Sequence, residues 1–261
     1  MGRYLQLLGI AVKSSLLRAV QYRGDLLLTA FMSVFWVGWS VTPLLMVYRA
    51  RPSVAGWTQP EALLVFAWYT ALKGLLEGAI NPSLQAAVEH IRKGTLDFVL
   101  LKPADAQFLV STQKFSPARV ADLVGALGLL LWAFAQLHRP PHLKDIALAS
   151  CLLLAAVAVL YSLWIVIIAA SFWAVRLDNL SYLLSAVFDV ARWPSSIFRG
   201  WLRLVFTFII PTALMTTYPA AALLGRLERG VAVGALAGAA LFTVVARRTW
   251  RAALTHYTSA S

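Results

Sequence analysis

Apolar runs close to twenty residues long, separated by short basic loops, recur through this chain near 26–48, 61–80, 120–137, 146–175 and 231–246. Coiled as an α-helix, such a run crosses the ≈ 30 Å hydrocarbon core of a bilayer, whereas barrel strands alternate over about ten residues. Lipid offers no partner to backbone N–H and C=O groups, which leaves helices or a closed barrel, and the run lengths select helices. Charged residues make up only 13% of the 261, far below the ~25% of a water-facing domain. The chain reads as an all-α integral membrane protein whose main solvent is the lipid bilayer.

The net charge of +12 raises the question of nucleic acid. The basic residues, however, flank the apolar spans, which is the positive-inside pattern, so no nucleic-acid partner is expected. Residues 3–23 place Leu5, Leu8, Val12, Leu16 and Ala19 at helical spacing among basic side chains and read as an interfacial helix on the membrane surface. Trp57 and Trp68 stand where aromatic interface anchors would help.

The stretch between Asp178 and Arg229 has two readings. Hydropathy places a fifth span at 201–215; the alternative puts it at 180–198 and leaves 199–225 as a hairpin dipping into the membrane from outside. Either gives six crossings with both termini on one side. On the hydropathy reading, sixteen lysines and arginines fall on the side of the termini and six on the other, with Lys73 inside a span. That bias puts both termini of the multi-pass protein in the cytoplasm.

Between spans two and three, Asn81-Pro82-Ser83 looks like a helix start and Gly94 a stop. Over 83–93, Leu84, Ala87, Val88 and Ile91 share one face, while Gln85, Glu89, Arg92 and Lys93 share another. Such a helix either anchors a loop at the membrane surface or docks a cytoplasmic partner. Lys73 and Glu77 lie one turn apart within span two and read as a pathway position or an intramembrane ion pair. Cys151 is the single cysteine, and His90, His138, His142 and His256 have no ligand spacing, so no metal, cofactor or catalytic site is expected.

The run Ile91-Arg92-Lys93-Gly94-Thr95-Leu96-Asp97-Phe98-Val99-Leu100-Leu101-Lys102-Pro103 resembles a stretch of the ABC-2 family of transporter permeases, in a bacterial subfamily long labelled an uncharacterised transport-system permease. Phe206-Thr207-Phe208-Ile209-Ile210-Pro211 with Tyr218-Pro219-Ala220 is similar to its second signature, and Arg192-Trp193-Pro194 with Ser196-Ile197-Phe198 to its aromatic–proline element, with Trp193 replacing the usual tyrosine. The resemblance implies six transmembrane helices in a type V exporter-like fold in the bacterial cytoplasmic (inner) membrane, with an N-terminal interfacial helix. It also implies a coupling helix at 83–93 and a re-entrant hairpin over 199–225 that carries Pro211, Tyr218 and Pro219. ATPase coupling would fall to Leu84, Gln85, Val88, Glu89, Ile91, Arg92, Lys93, Gly94 and Asp97.

No GxxxxGK[ST] phosphate loop occurs in the sequence, so the chain lacks the glycine-rich cradle and lysine that ATP hydrolysis needs. ATP and Mg are expected on a separate ABC ATPase, beside a second permease that is either a related chain or a second copy. The expected function is an ATP-driven exporter's non-catalytic membrane subunit. Two rivals stand against it. A secondary transporter would show an internal repeat or several intramembrane carboxylates. A membrane-embedded enzyme would need a polar catalytic cluster on its spans.

Overall fold

A backbone that must pair its polar groups internally folds here mostly as helix. The computed structural model describes residues 2–172 and 185–256. In chain order the main elements are α1 (Gly2–Gln21), α2 (Arg23–Ala50), β1 (Ser53–Val54), β2 (Trp57–Thr58), α3 (Gln59–Leu75), a π-turn (Leu76–Ile80), α4 (Asn81–Arg92), α5 (Asp97–Leu100) and α6 (Ala106–Ser111). After these come α7 (Val120–Leu137), α8 (Leu143–Ala170), α9 (Trp201–Leu204), α10 (Tyr218–Leu223) and α11 (Arg229–Leu254). Five runs among the described residues are long and apolar enough to cross a membrane: Arg23–Ala50, Gln59–Arg92, Pro117–Leu137, Leu143–Ala170 and Arg229–Leu254.

The core sits between α3 and α8. Leu63, Leu64, Val65 and Leu72 of α3 are fully buried, as are Leu152, Val159, Leu160 and Ile165 of α8. Trp68 belongs to this core rather than to an interface belt, being 8% exposed. By contrast α2, α7 and α11 turn large apolar side chains outward, among them Phe31, Trp39, Leu131 and Val233. In water that surface would be untenable; in a bilayer it meets lipid or a partner.

One end of the bundle carries the β1–β2 hairpin. Ala55 (φ 50) and Gly56 (φ 84) both take positive φ at its tip, the type I′ turn that matches strand twist. The next helix starts on a capping box, in which Glu61 accepts the Thr58 N–H at 2.9 Å. Arg226 donates to the other oxygen of Glu61 at 2.6 Å, tying α3 to the chain beyond α10.

The structure corrects two expectations. First, Asn81-Pro82-Ser83 is not a helix start: α3, the π-turn and α4 form one run, Gln59–Arg92. Pro82 has no N–H to give to the carbonyl four residues back, that of Gly78. The Gly78 carbonyl instead accepts the Ser116 N–H at 2.8 Å, and the five-residue turn absorbs the mismatch. Second, 201–215 is not one continuous span. Helical structure stops at Ile210 (φ −122, ψ 86), next to Pro211, and resumes toward Thr217. For the other reading, 180–184 lie outside the described residues, and the described part of 180–198 is helical over 185–188 and continues in the short turns Asp189–Arg192 and Ser195–Ile197. The last residues of the 146–175 span likewise fall outside, and α8 ends at Ala170.

Candidate functional site

At the end opposite the hairpin, α4 is held by buried polar contacts. Ser83, fully buried, donates to the Lys114 carbonyl at 2.6 Å and accepts the Lys114 N–H at 3.0 Å. Asn81 accepts the Trp164 indole N–H at 3.0 Å and donates to Glu77 at 3.3 Å. Leu84 and Ala87 are buried, Val88 and Ile91 half-buried, and Gln85, Glu89, Arg92 and Lys93 exposed. Lys93 and Glu89 pair one turn apart at 2.5 Å, a surface pair of small energetic weight.

Gly94 ends the helix at φ 66. The Thr95 N–H reaches the His90 carbonyl (2.9 Å) and the Gly94 N–H that of Ile91 (3.2 Å), a Schellman closure. The Thr95 hydroxyl lies 2.8 Å from His90 Nδ1, Leu96 is fully buried, and Asp97 opens α5. The Gly–Thr–Leu–Asp run thus stops the helix and pins the exit. It also projects Phe98 and Leu101, which are 70% and 81% exposed, beside the polar face. Sequence reading passed over these two.

Behind this surface a polar latch joins three elements. Asp105 caps α6 by accepting the Phe108 N–H at 3.0 Å and takes both guanidinium nitrogens of Arg247 from α11. Arg247 also donates to Gln107 (2.6 Å), and Gln107 and Ser111 meet the Tyr161 hydroxyl of α8 at 3.0 and 2.8 Å. The hydrogen bonds from Arg247 hold the Asp105 carboxyl below the usual carboxylate range. A lowered acid favours the folded state above the unfolded range, near pH 3.9, and loses that advantage as pH falls through its folded value. Asp105→Asn should therefore lower the melting temperature in detergent at neutral pH, and the gap from wild type should close on acidification below pH about 4. A gap constant across that range would contradict the latch.

Within the bundle the structure separates Lys73 from Glu77. The π-turn begins between them and rotates Glu77 toward Asn81. Lys73 pairs instead with Asp189 at 3.0 Å and donates to the Tyr69 hydroxyl at 3.1 Å. Tyr69 in turn hydrogen-bonds Asp189, and Arg192 approaches the same carboxylate at 3.4 Å. Across the way Arg119 lies 3.5 Å from Asp122 and donates to Ser33 at 3.3 Å. Asp122 is buried, facing Gly74 of α3. Ser33, Tyr69, Lys73, Arg119, Asp122 and Arg192 line an open cleft of ≈ 350 Å³ together with Trp36, Trp39 and Pro43 of α2. Lys73 stands fourteen residues beyond Gln59, about 21 Å down the helix at 1.5 Å per residue, which is membrane depth.

The segment from Gly200 to Gly225 packs its second half inward. Ala213–Thr217 are all buried, Thr216 donates to the Ala191 carbonyl at 2.8 Å, and Thr217 accepts the Ser195 N–H at 3.0 Å. Pro219 is buried and Tyr218 half-buried, while Trp201, Leu204 and Ile209 of the first half are exposed. Pro211 sits at the break between the two halves.

Five long apolar runs, three of which (α2, α3 and α7) wall a charged cleft, define a multi-pass helical membrane protein. The family model described as ABC-2 family transporter protein matches residues 34–261, and the chain belongs to that family. It is accordingly a permease-type membrane subunit of an ABC transporter, a kind of protein that associates with ABC ATPase subunits. No curated protein and no solved structure gives a significant match.

Proposed function

We propose that this chain is the permease half of an ATP-driven exporter, which pairs with a second permease and takes its energy from separate ATPase subunits docked on α4. The observation that carries this is the unbroken run Gln59–Arg92, 34 residues long. At 1.5 Å per residue it spans about 51 Å, some 20 Å more than a hydrocarbon core. Its tip therefore stands clear of the lipid and shows Gln85, Glu89, Arg92 and Lys93 to solvent, with Phe98 and Leu101 as apolar knobs beside them. A polar rim around exposed apolar anchors is the composition of a docking surface. The same rod carries Lys73 in the cleft, so a push on α4 reaches the intramembrane charges without a flexible joint.

In this reading the α4 end is cytoplasmic, in keeping with the positive-inside bias, and α1 lies on the inner face with its apolar side in lipid. The segment 199–225, broken at Ile210-Pro211, dips in from outside. A kinked backbone at that depth is tolerated where protein covers it, as it does over Ala213–Thr217.

Reconstitution tests the proposal. The purified chain in nanodiscs should hydrolyse no ATP, and hydrolysis should appear when an ABC ATPase that co-purifies with it is added. Sustained turnover by the pure chain alone would overturn the division of labour.

A further inference from the structure

We infer that the cleft between α2, α3 and α7 binds the head of an acidic amphiphile, a phosphate or carboxylate carried on an apolar tail. The inference rests on the permease reading, since it takes the cleft as part of the translocation path and names what that path accepts.

Three cations, Lys73, Arg119 and Arg192, serve the cleft against two carboxylates, Asp122 and Asp189. Arg119 is matched to Asp122. Among the described residues, Lys73 and Arg192 share the one carboxylate of Asp189, which leaves one positive charge in excess on that side. Both also lie 5.6 Å from the centroid of the Tyr69 ring, a contact that fixes them without neutralising them. Their side chains remain 42% and 30% exposed. Unbalanced charge open to hydrocarbon is costly even on the mildest scale. This face must therefore meet water, a partner subunit or a counter-anion rather than acyl chains alone.

The rest of the lining favours an anion with a tail. Trp36 and Trp39 are 57% and 63% exposed on α2 at the cleft. They continue into the outward apolar face made by Phe31, Met32 and Phe35. A head held at Lys73 and Arg192 can thus lay its tail along tryptophan and phenylalanine without burying another charge. A cationic amphiphile meets the wrong sign there, and a bare hydrophobic molecule leaves the surplus charge uncompensated.

The test uses the purified chain in phosphatidylcholine vesicles doped with brominated phosphatidate or brominated phosphatidylcholine, reading the tryptophan quenching that is lost in Trp36→Phe/Trp39→Phe. That component should favour phosphatidate at least about tenfold, a preference of 1.4 kcal/mol. Lys73→Met should abolish the preference. Asp189→Asn, which frees both cations, should raise it, and this second variant decides the matter if the first does not fold. An unbrominated fatty acid should relieve the quenching by brominated phosphatidate, whereas inorganic phosphate should not. Equal quenching by both lipids, a preference untouched by Lys73→Met, or a fall with Asp189→Asn overturns the assignment. Full displacement by inorganic phosphate overturns the amphiphile. No ATPase enters this measurement, so its failure leaves the coupling proposal standing, and failure of the reconstitution leaves this result intact.

Discussion

Reversing two charges, Arg92→Glu with Lys93→Glu, should cut ATPase binding to this chain and ATPase-driven transport by roughly tenfold or more, through like-charge juxtaposition at the docking surface. Both residues are exposed at the tip of the rod, and neither packs in the bundle core. At Lys93 the substitution removes the pair with Glu89, whose loss costs about 0.5 kcal/mol or less at the surface. Because both side chains lie on the exposed face of the helix, expression and detergent-extracted size should match wild type. Phe98→Ala with Leu101→Ala should weaken docking by a different route, since these side chains lie exposed and contribute only through a partner. Truncating Leu84, Val88 and Ile91 attacks the opposite face and should loosen α4 from its bed before it touches the partner. If α4 were only a surface anchor, the charge reversals would leave assembly and transport near normal. Co-purification of the ATPase at wild-type yield with the doubly reversed chain would sink the docking assignment and leave the family membership in place.

Much of the fold was legible because lipid allows few solutions. Five spans follow from run length alone, and the two faces of α4 follow from a 3.6-residue period that the structure keeps. Gly94 could be read as a stop because a left-handed residue ends a helix at little cost only when it is glycine. Other features depend on what the sequence does not align. The π-turn at Leu76–Ile80 adds one residue to a turn, so spacing that put Lys73 and Glu77 together placed them wrongly. The true partner of Lys73 lies 116 residues away, at Asp189, and that of Asp105 lies 142 away, at Arg247. No periodicity reports contacts of that range. Asp122 looks interfacial by position, yet it is buried because α7 approaches α3 closely. That approach did leave a signal: Gly74 and Gly78 form a small-xxx-small pair, which in membrane helices marks a close crossing.

Gly74→Ala should be the most destabilising of four glycine-to-alanine changes, and the order of the four follows from geometry. A methyl on Gly74 would lie 2.8 Å from the Asp122 Cβ and 3.3 Å from a Leu123 methyl. The Asp122 Cβ is fixed to the α7 backbone and cannot swing aside, so the two helices must separate. Overpacking of this kind costs typically 1–3 kcal/mol, and separation also disturbs Arg119 and Asp122 at the mouth of the cleft. Gly78 comes next: its methyl would stand 3.1 Å from the Arg119 Cβ, which a small shift relieves. At Gly125 the nearest atom, a Val37 methyl, is 3.5 Å away, which is ordinary contact. Gly234 on α11 meets nothing within 4 Å, so alanine there should gain up to about 1 kcal/mol of helix propensity. Melting temperatures in one detergent should fall in the order Gly234→Ala, Gly125→Ala, Gly78→Ala, Gly74→Ala, with the last well below wild type. Gly74→Leu should fail to yield a monodisperse protein, because its branched side chain needs space that only parted helices provide. A wild-type melting temperature for Gly74→Ala would mean that α3 and α7 do not cross at this glycine, and the cleft built from Lys73, Arg119 and Asp122 would lose its common wall.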